Sequence, residues 1–365
     1  VKELEKKISK VFGKKYGLMV NSGSSALMLA FDVLQLKKND EVICPCLNFP
    51  TAFSAMILYG IKPRLVDVKI ETLCINEDLI LKNINNKTRA ICVPNLIGYI
   101  PNWKIIRNIV KNKNIIIIED SADCLGSKIH KKSTGYYSDI SITSFYGSHV
   151  ISCAGNGGYI GFNDKKLYEK AKLKRSWGRN SSLFSKKDSE KIKNRFQYKI
   201  NKIDYDSKFI FSEKGYNFEP SELGAAFGLI QLKKLKKNNL KRRTNFKYLK
   251  ENLEKISKYF YIPENNSNVI SGKLALPLII KKNKYFNRKK LMIYLEKNKI
   301  QCRVIFSGNI LLQPGYKLNE FANKKNHFPI TDAVMKNGLL LGIHHGINKN
   351  DLNYILKVIK IFLSK

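Results

Sequence analysis

Through the first two thirds of this 365-residue chain, short β-branched runs alternate with stretches long enough to be helices. Strands that return parallel need a crossover of about a dozen residues or more, most often a helix. The alternation therefore commits the chain to an α/β fold with a mostly parallel sheet covered by helices. Residues 18–21, 41–44, 62–66, 90–93, 115–119, 140–144 and 158–161 read as its strands. A polar, lysine-rich stretch from 175 to 212 reads as loop. Pro220-Ser221-Glu222 then opens a helix running to about 235, since proline and a hydroxyl suit a first turn. More helix follows 240, and then a smaller α/β unit: strand 274–280, helix 286–297, strand 301–306. The reading divides the chain into a large domain, 1–240, and a small C-terminal domain, 241–365.

Length and a hydrophobic content of 44% suffice for two real cores. The net charge of +37 raises the question of nucleic acid. Lysines, however, are scattered over nearly every segment beside abundant Asn and Ile, and no zinc finger, RNP-like strand or basic heptad helix is present. No nucleic-acid partner is expected; a positive surface would instead attract an anionic substrate. No apolar run reaches transmembrane length, and residues 1–7 read as an amphipathic helix already under way rather than a signal peptide. A cytoplasmic location with no membrane partner is expected. The seven cysteines (44, 46, 74, 92, 124, 153, 302) are dispersed, as reduced thiols would be.

Four segments carry possible chemistry. Asn21-Ser22-Gly23-Ser24-Ser25 follows a strand and opens an apolar helix. Backbone N–H groups there make an anion site, although Ser-Gly-Ser is also ordinary capping. The run Ile115–Ile118 ends in Glu119-Asp120-Ser121-Ala122-Asp123, which puts Asp120 at the C-terminal edge of a strand, where open α/β sheets bind ligands. The same aspartate could simply cap the next helix. Phe49 stands at another strand end, where an aromatic is commonly core. His149 closes the run Ser144-Phe145-Tyr146-Gly147-Ser148-His149, ahead of Ala154-Gly155-Asn156-Gly157-Gly158. A lone histidine is structural more often than catalytic, yet it titrates near neutral pH.

That last string resembles the SF-x-x-x-K…GGG segment of the DegT/DnrJ/EryC1/StrS family of nucleotide-sugar aminotransferases, whose lysine holds pyridoxal phosphate (PLP). Here histidine takes the lysine's place, and an imidazole cannot form a Schiff base. The exchange marks the family's sugar 3-dehydratase branch. Arg303…Ser307-Gly308-Asn309 with Gln313-Pro314, and Ser176-Trp177-Gly178-Arg179, resemble signatures of that branch.

The resemblance implies fold type I of the PLP-dependent transferases, like aspartate aminotransferase. It implies PLP and its amine form, PMP, bound noncovalently. Gly23, Ser24, Ser25 and Ser144 would meet the phosphate, Asp120 the ring nitrogen, Asp123 the neighbourhood of the ring hydroxyl and Phe49 the ring face. Asn217 would reach the neighbouring subunit's cofactor, so a homodimer is implied. His149 would be the catalytic base for loss of the C3 hydroxyl from a 4-keto-6-deoxy nucleotide sugar. Arg303, Ser307 and Asn309 would contact sugar or glutamate, and His344 and His345 could line the pocket. One kind of 3-dehydratase uses an iron–sulfur cluster held by closely spaced cysteines after the Trp-Gly-Arg segment. Ser181-Ser182 stands there, and no cysteine lies between Cys153 and Cys302, so no cluster is expected and glutamate would regenerate PMP. An ordinary aminotransferase with its lysine exchanged, or a silent sugar-binding relative, are the other readings. Family members carry a few dozen residues before this start, so an N-terminal stretch ahead of Val1 is expected.

Overall fold

Seven of the expected strands form one sheet. The computed structural model describes residues 1–256 and 258–364. In it β1 (Tyr16–Val20), β2 (Glu41–Pro45), β3 (Lys62–Val66), β4 (Thr88–Pro94), β5 (Ile116–Asp120), β6 (Ile140–Ser144) and β7 (Gly158–Phe162) lie in the order β1-β7-β6-β5-β4-β2-β3. Neighbours from β6 to β3 pair in parallel, while β7 is antiparallel to both β1 and β6. Both faces are covered. Along β5, Ile117 enters a core with Ile43, Ile91, Val93 and Trp103. Its neighbour Ile118 enters the opposite core with Val42, Cys44, Ala90 and Ile140, as the strand's two-residue period requires. Each fully buried branched side chain stabilises by about 1.5–3 kcal/mol, which is why β-branched runs rather than alternating patterns mark these strands.

The stretch 175–212 is more structured than its composition suggests. It holds short helical turns and a hairpin, Tyr198–Ile200 with Ile203–Tyr205. Such three- and four-residue elements, mostly exposed, leave no periodic signal. A single helix then runs unbroken over 35 residues, Glu222–Ile256, straight through residue 240. Its first half meets the large sheet's cover, and Phe246, Leu249 and Leu253 enter a C-terminal core. There β8 (Phe260–Tyr261), β9 (Ala275–Ile280), β10 (Cys302–Val304) and β11 (Gly338–Gly342) form an antiparallel sheet in the order β8-β9-β11-β10. That core also takes in Leu47, Leu96 and Tyr99 from the large sheet's loops. Among the described residues no helix is long and apolar enough to cross a membrane.

Candidate active site

The parallel strands β2, β4, β5 and β6 present their C-terminal ends at one edge, with β1 running the same way beyond β7. A cavity of about 340 Å³ opens there. Its wall brings together Gly23, Ser24, Phe49, Asp120, Asp123, Ser144 and His149 from four separate segments.

The helix Gly23–Leu34 enters the cavity by its N-terminus. Ser22 caps it, its Oγ accepting from Ser25 N–H at 3.0 Å. The first helical N–H groups, at Gly23 and Ser24, have no intrahelical acceptor and are free for an anion. Gly23 must be glycine, because a Cβ there would fall 2.7 Å from Ser144 Cβ. Helix end and Ser144 are thereby held against each other.

Asp120 accepts one hydrogen bond, from Ala122 N–H at 3.0 Å. Burial pushes its carboxyl up to about 7, with Asp123 and Glu119 adding in the same direction. Asp123 Oδ2 accepts from Ile97 N–H at 2.9 Å, and its Oδ1 lies 3.8 Å from His149 Nε2. Burial raises Asp123 and lowers His149, each tempered by the other's charge. Near neutral pH the imidazole is therefore held as a neutral base. His149 Nδ1 is buried without a hydrogen-bond partner among the described residues. Tyr146 packs edge-on to the imidazole at 6.1 Å. Among the described residues no lysine lines the cavity. A phosphate-ready helix end beside a carboxyl that accepts only a backbone N–H suits an anion-bearing, nitrogenous ring, so the residues fit PLP.

Residues 1–360 match the model of the DegT/DnrJ/EryC1/StrS aminotransferase family. The chain belongs to that family. It is similar to the GDP-4-keto-6-deoxy-D-mannose 3-dehydratase of Escherichia coli O55:H7 (strain CB9615 / EPEC), at 30% identity over 99% of this chain and 92% of that protein. Among the solved structures that share its fold are two such enzymes. One is E. coli GDP-4-keto-6-deoxy-D-mannose-3-dehydratase with bound hydrated PLP (29% identity, TM-score 0.87, 98% of this chain and 91% of that one). The other is GDP-4-keto-6-deoxymannose-3-dehydratase with a trapped PLP-glutamate geminal diamine (29% identity, TM-score 0.87, 98% and 92%). The expected α/β architecture is the aminotransferase fold of these relatives.

Not every family-derived residue of the DegT/DnrJ/EryC1/StrS pattern lines this chain's cavity. Ser25 turns aside, its Oγ donating to Asn21 Oδ1 at 2.6 Å. Asn217 is exposed beside Ser176, outside the cavity. Arg303 is exposed on β10, its Nη1 donating to Cys302 O at 2.8 Å. Ser307 and Asn309 are buried but spent on packing. Ser307 Oγ donates to Asn48 O at 2.7 Å; Asn309 Nδ2 donates to Asp332 Oδ1 at 2.7 Å, and its Oδ1 accepts from Leu311 N–H at 3.0 Å. His344 and His345 pack on each other with their rings tilted, centres 3.8 Å apart, and neither lines the cavity.

Asn95, Tyr146 and Phe306 are among the lining residues to which the sequence reading gave no role. Asn95 directly follows β4, a strand-end position that could have flagged it. Nothing in the sequence marks Phe306.

Proposed function

We propose that this chain removes the C3 hydroxyl of a 4-keto-6-deoxy nucleotide sugar, with PLP and PMP held noncovalently and glutamate restoring the amine form. One observation carries the reading: in a cavity that fits PLP, His149 occupies the lysine's place in the family segment, and among the described residues no lysine lines the wall. Without that lysine nothing competes with the sugar for the cofactor. The cofactor, when bound, supplies an electron sink. Asp120 holds the ring nitrogen protonated, Phe49 covers the ring face, and Gly23, Ser24 and Ser144 take the phosphate, with Ser25 supporting the turn. His149, held neutral and oriented by Asp123, takes up the proton released in the reaction. A positioned base of this kind contributes about a hundred- to ten-thousandfold in rate.

Asn217, exposed and outside its own cavity, serves the cofactor of a second copy, so the working unit is a homodimer. Ser307 and Asn309 shape the substrate end by holding their loop, and Arg303 is assigned to substrate or glutamate from its exposed position. The division into 1–240 and 241–365, and a cytoplasmic location, belong to the same proposal. The nucleotide-sugar dehydratases named above support it by likeness over nearly the whole chain.

The test is incubation with PLP, glutamate and a panel of 4-keto-6-deoxy nucleotide sugars, followed by mass spectrometry. A product lacking one oxygen, with ammonia and 2-oxoglutarate released, is the expected result. A product in which the ketone has become an amine would make the chain an aminotransferase and overturn the reading.

A further inference from the structure

Every residue lining the cavity lies at or before Gly157, with one exception, Phe306. The C-terminal part of the chain thus reaches the site through a single aromatic ring. That ring is held by a backbone few residues of its size adopt, with φ of +46°. Such conformations persist only where the surroundings over-determine them, and here they do. On its C-terminal side Ser307 Oγ donates to Asn48 O, and Gln313 Nε2 donates to Ser307 O at 2.7 Å. Gly308 follows at φ +61°, so close to Met335 that a Cβ would fall 2.3 Å from its Cγ. Asn309 bridges to Leu47, and Cys46 Sγ donates to its Oδ1 at 3.1 Å. The polar residues of the segment are consumed in bracing this loop, to residues 46–48, to Asp332 and within itself. What the loop delivers is Phe306, edge-on to Phe49 at 6.1 Å between ring centres.

The polar lining has a different origin. Ser24, Asp120, Asp123, Ser144 and His149 all come from ends of the large sheet or the turns that follow them. The rings of Phe49 and Phe306 carry no hydrogen-bonding group, and the polar wall residues nearest Phe49 along the chain are Asn48 and Thr51.

We propose that Phe306 is a specificity-determining residue: standing edge-on to Phe49, which covers the cofactor's ring face, it completes an apolar corner that takes the methyl-bearing C5–C6 edge of a 6-deoxy sugar and rejects a 6-hydroxyl. This rests on the function proposed above. A hydroxyl placed against the two rings would leave water without gaining a partner from them. The contacts that hold the loop in this conformation are what fix the ring before substrate arrives.

The experiment compares wild type with Phe306→Ala and Phe306→Leu on two substrates, a 4-keto-6-deoxy nucleotide sugar and its 6-hydroxy counterpart, by kcat/KM and by equilibrium binding of each sugar. A single methyl-sized difference in an apolar pocket is worth about 10- to 200-fold. Wild type should prefer the 6-deoxy sugar by a factor in that range, Phe306→Ala should lose about tenfold or more of the preference, and Phe306→Leu should recover part of it. The glutamate-driven conversion of PLP to PMP, followed by absorbance without sugar, should stay at the wild-type rate in both variants. Equal collapse of that half-reaction in Phe306→Ala would make the ring a cofactor or folding element and overturn the proposal. So would an unchanged preference. If wild type turns over neither sugar, the function falls by itself; the corner then stands or falls on whether Phe306→Ala abolishes the difference in binding.

Discussion

Glu119 and Asp120 are consecutive on β5 and both carboxylic, yet they live in opposite circumstances. Glu119 is fully buried on the Trp103 side and accepts from Asn95 Nδ2 (2.8 Å), Ser121 Oγ (2.6 Å), Ser141 Oγ (2.7 Å) and Ser138 Oγ (3.2 Å). Ser138 in turn accepts from buried Lys14 Nζ at 3.1 Å, and Trp103 Nε1 donates to Asn95 Oδ1 at 2.9 Å. Asp120, one residue on, accepts a single bond and is left to titrate near 7. Buried polar groups are normally satisfied, and those that are not ask for an explanation. The contrast teaches that β5 carries a structural carboxylate toward the core and a chemical one toward the cavity. The satisfied one anchors Asn95, and with it the turn that carries Ile97 to Asp123.

If that division is right, substitutions on the cavity side should remove activity and spare stability. The largest effect belongs to His149→Asn, which keeps size and polarity but loses the base. Turnover should fall about 10²- to 10⁴-fold with little change in melting temperature. The acid limb of the wild-type kcat profile should lie below the ordinary imidazole range, because burial disfavours the charged ring. A variant that melts early but turns over normally when folded would place His149 on the structural side.

Glu119→Ala should do the reverse. It strands four donors that have no water to turn to, and breaking a buried charged network costs about 3–5 kcal/mol. Urea unfolding should register that loss, while kcat per folded molecule stays within a fewfold of wild type. Activity lost at full stability would collapse the distinction between the two faces.

The sequence discloses one side of this contrast far better than the other. Strand positions and the carboxylate at the end of β5 are legible because β-branched runs and strand ends are local properties. Ser22, Gly23 and His149 are legible because they lie in contiguous strings. The hub around Glu119 is not, since Ser138, Ser141 and Asn95 reach it from three segments and serine carries no pattern of its own. Phe306 is hidden for a different reason: a positive φ in phenylalanine is imposed by tertiary contacts against local preference. The same applies to the segment around it, where Ser307 and Asn309 read as ligand-binding residues and prove to be occupied with Asn48, Asp332 and Leu311. Helix Glu222–Ile256 looks like two helices in sequence because its apolar positions change partners near 240, from the large sheet's cover to the C-terminal core.

Asp120 also supplies a pH test. The unfolded carboxyl titrates near 3.9, the folded one near 7. Between those values the folded chain holds a proton that the unfolded chain has lost. The stability this confers is fully present below about pH 4 and disappears as pH rises through 7. Asp120→Asn removes that slope. The cofactor-free variant should therefore gain on wild type with rising pH, by at most about 4 kcal/mol at pH 8, and by less because the group keeps some exposure. Added PLP should close the gap, raising the melting temperature of wild type more at pH 8 than at pH 5, since an ionised Asp120 then finds a cationic partner. Parallel stability curves for the two proteins would mean that Asp120 is as well satisfied as Glu119.

The smallest effect sharpens the comparison from outside. Arg303 leaves 66% of its side chain exposed and bonds only to its own strand's Cys302 carbonyl, with Glu296 at 3.7 Å. Exposed pairs of this sort contribute about 0–1 kcal/mol, so Arg303→Ala should leave the unfolding midpoint almost unmoved. Its kinetic effect separates two arrangements. If each cavity is complete within one chain, KM for glutamate and for the sugar should both stay at wild-type values. A selective rise in KM for glutamate, without loss of stability, would mean that Arg303 binds a carboxylate across the contact between two copies, as Asn217 is proposed to meet a phosphate. Mixing Arg303→Ala chains with inactive His149→Asn chains would then restore the wild-type KM for glutamate in the hybrid dimer, because one of its two sites would draw an intact residue from each copy.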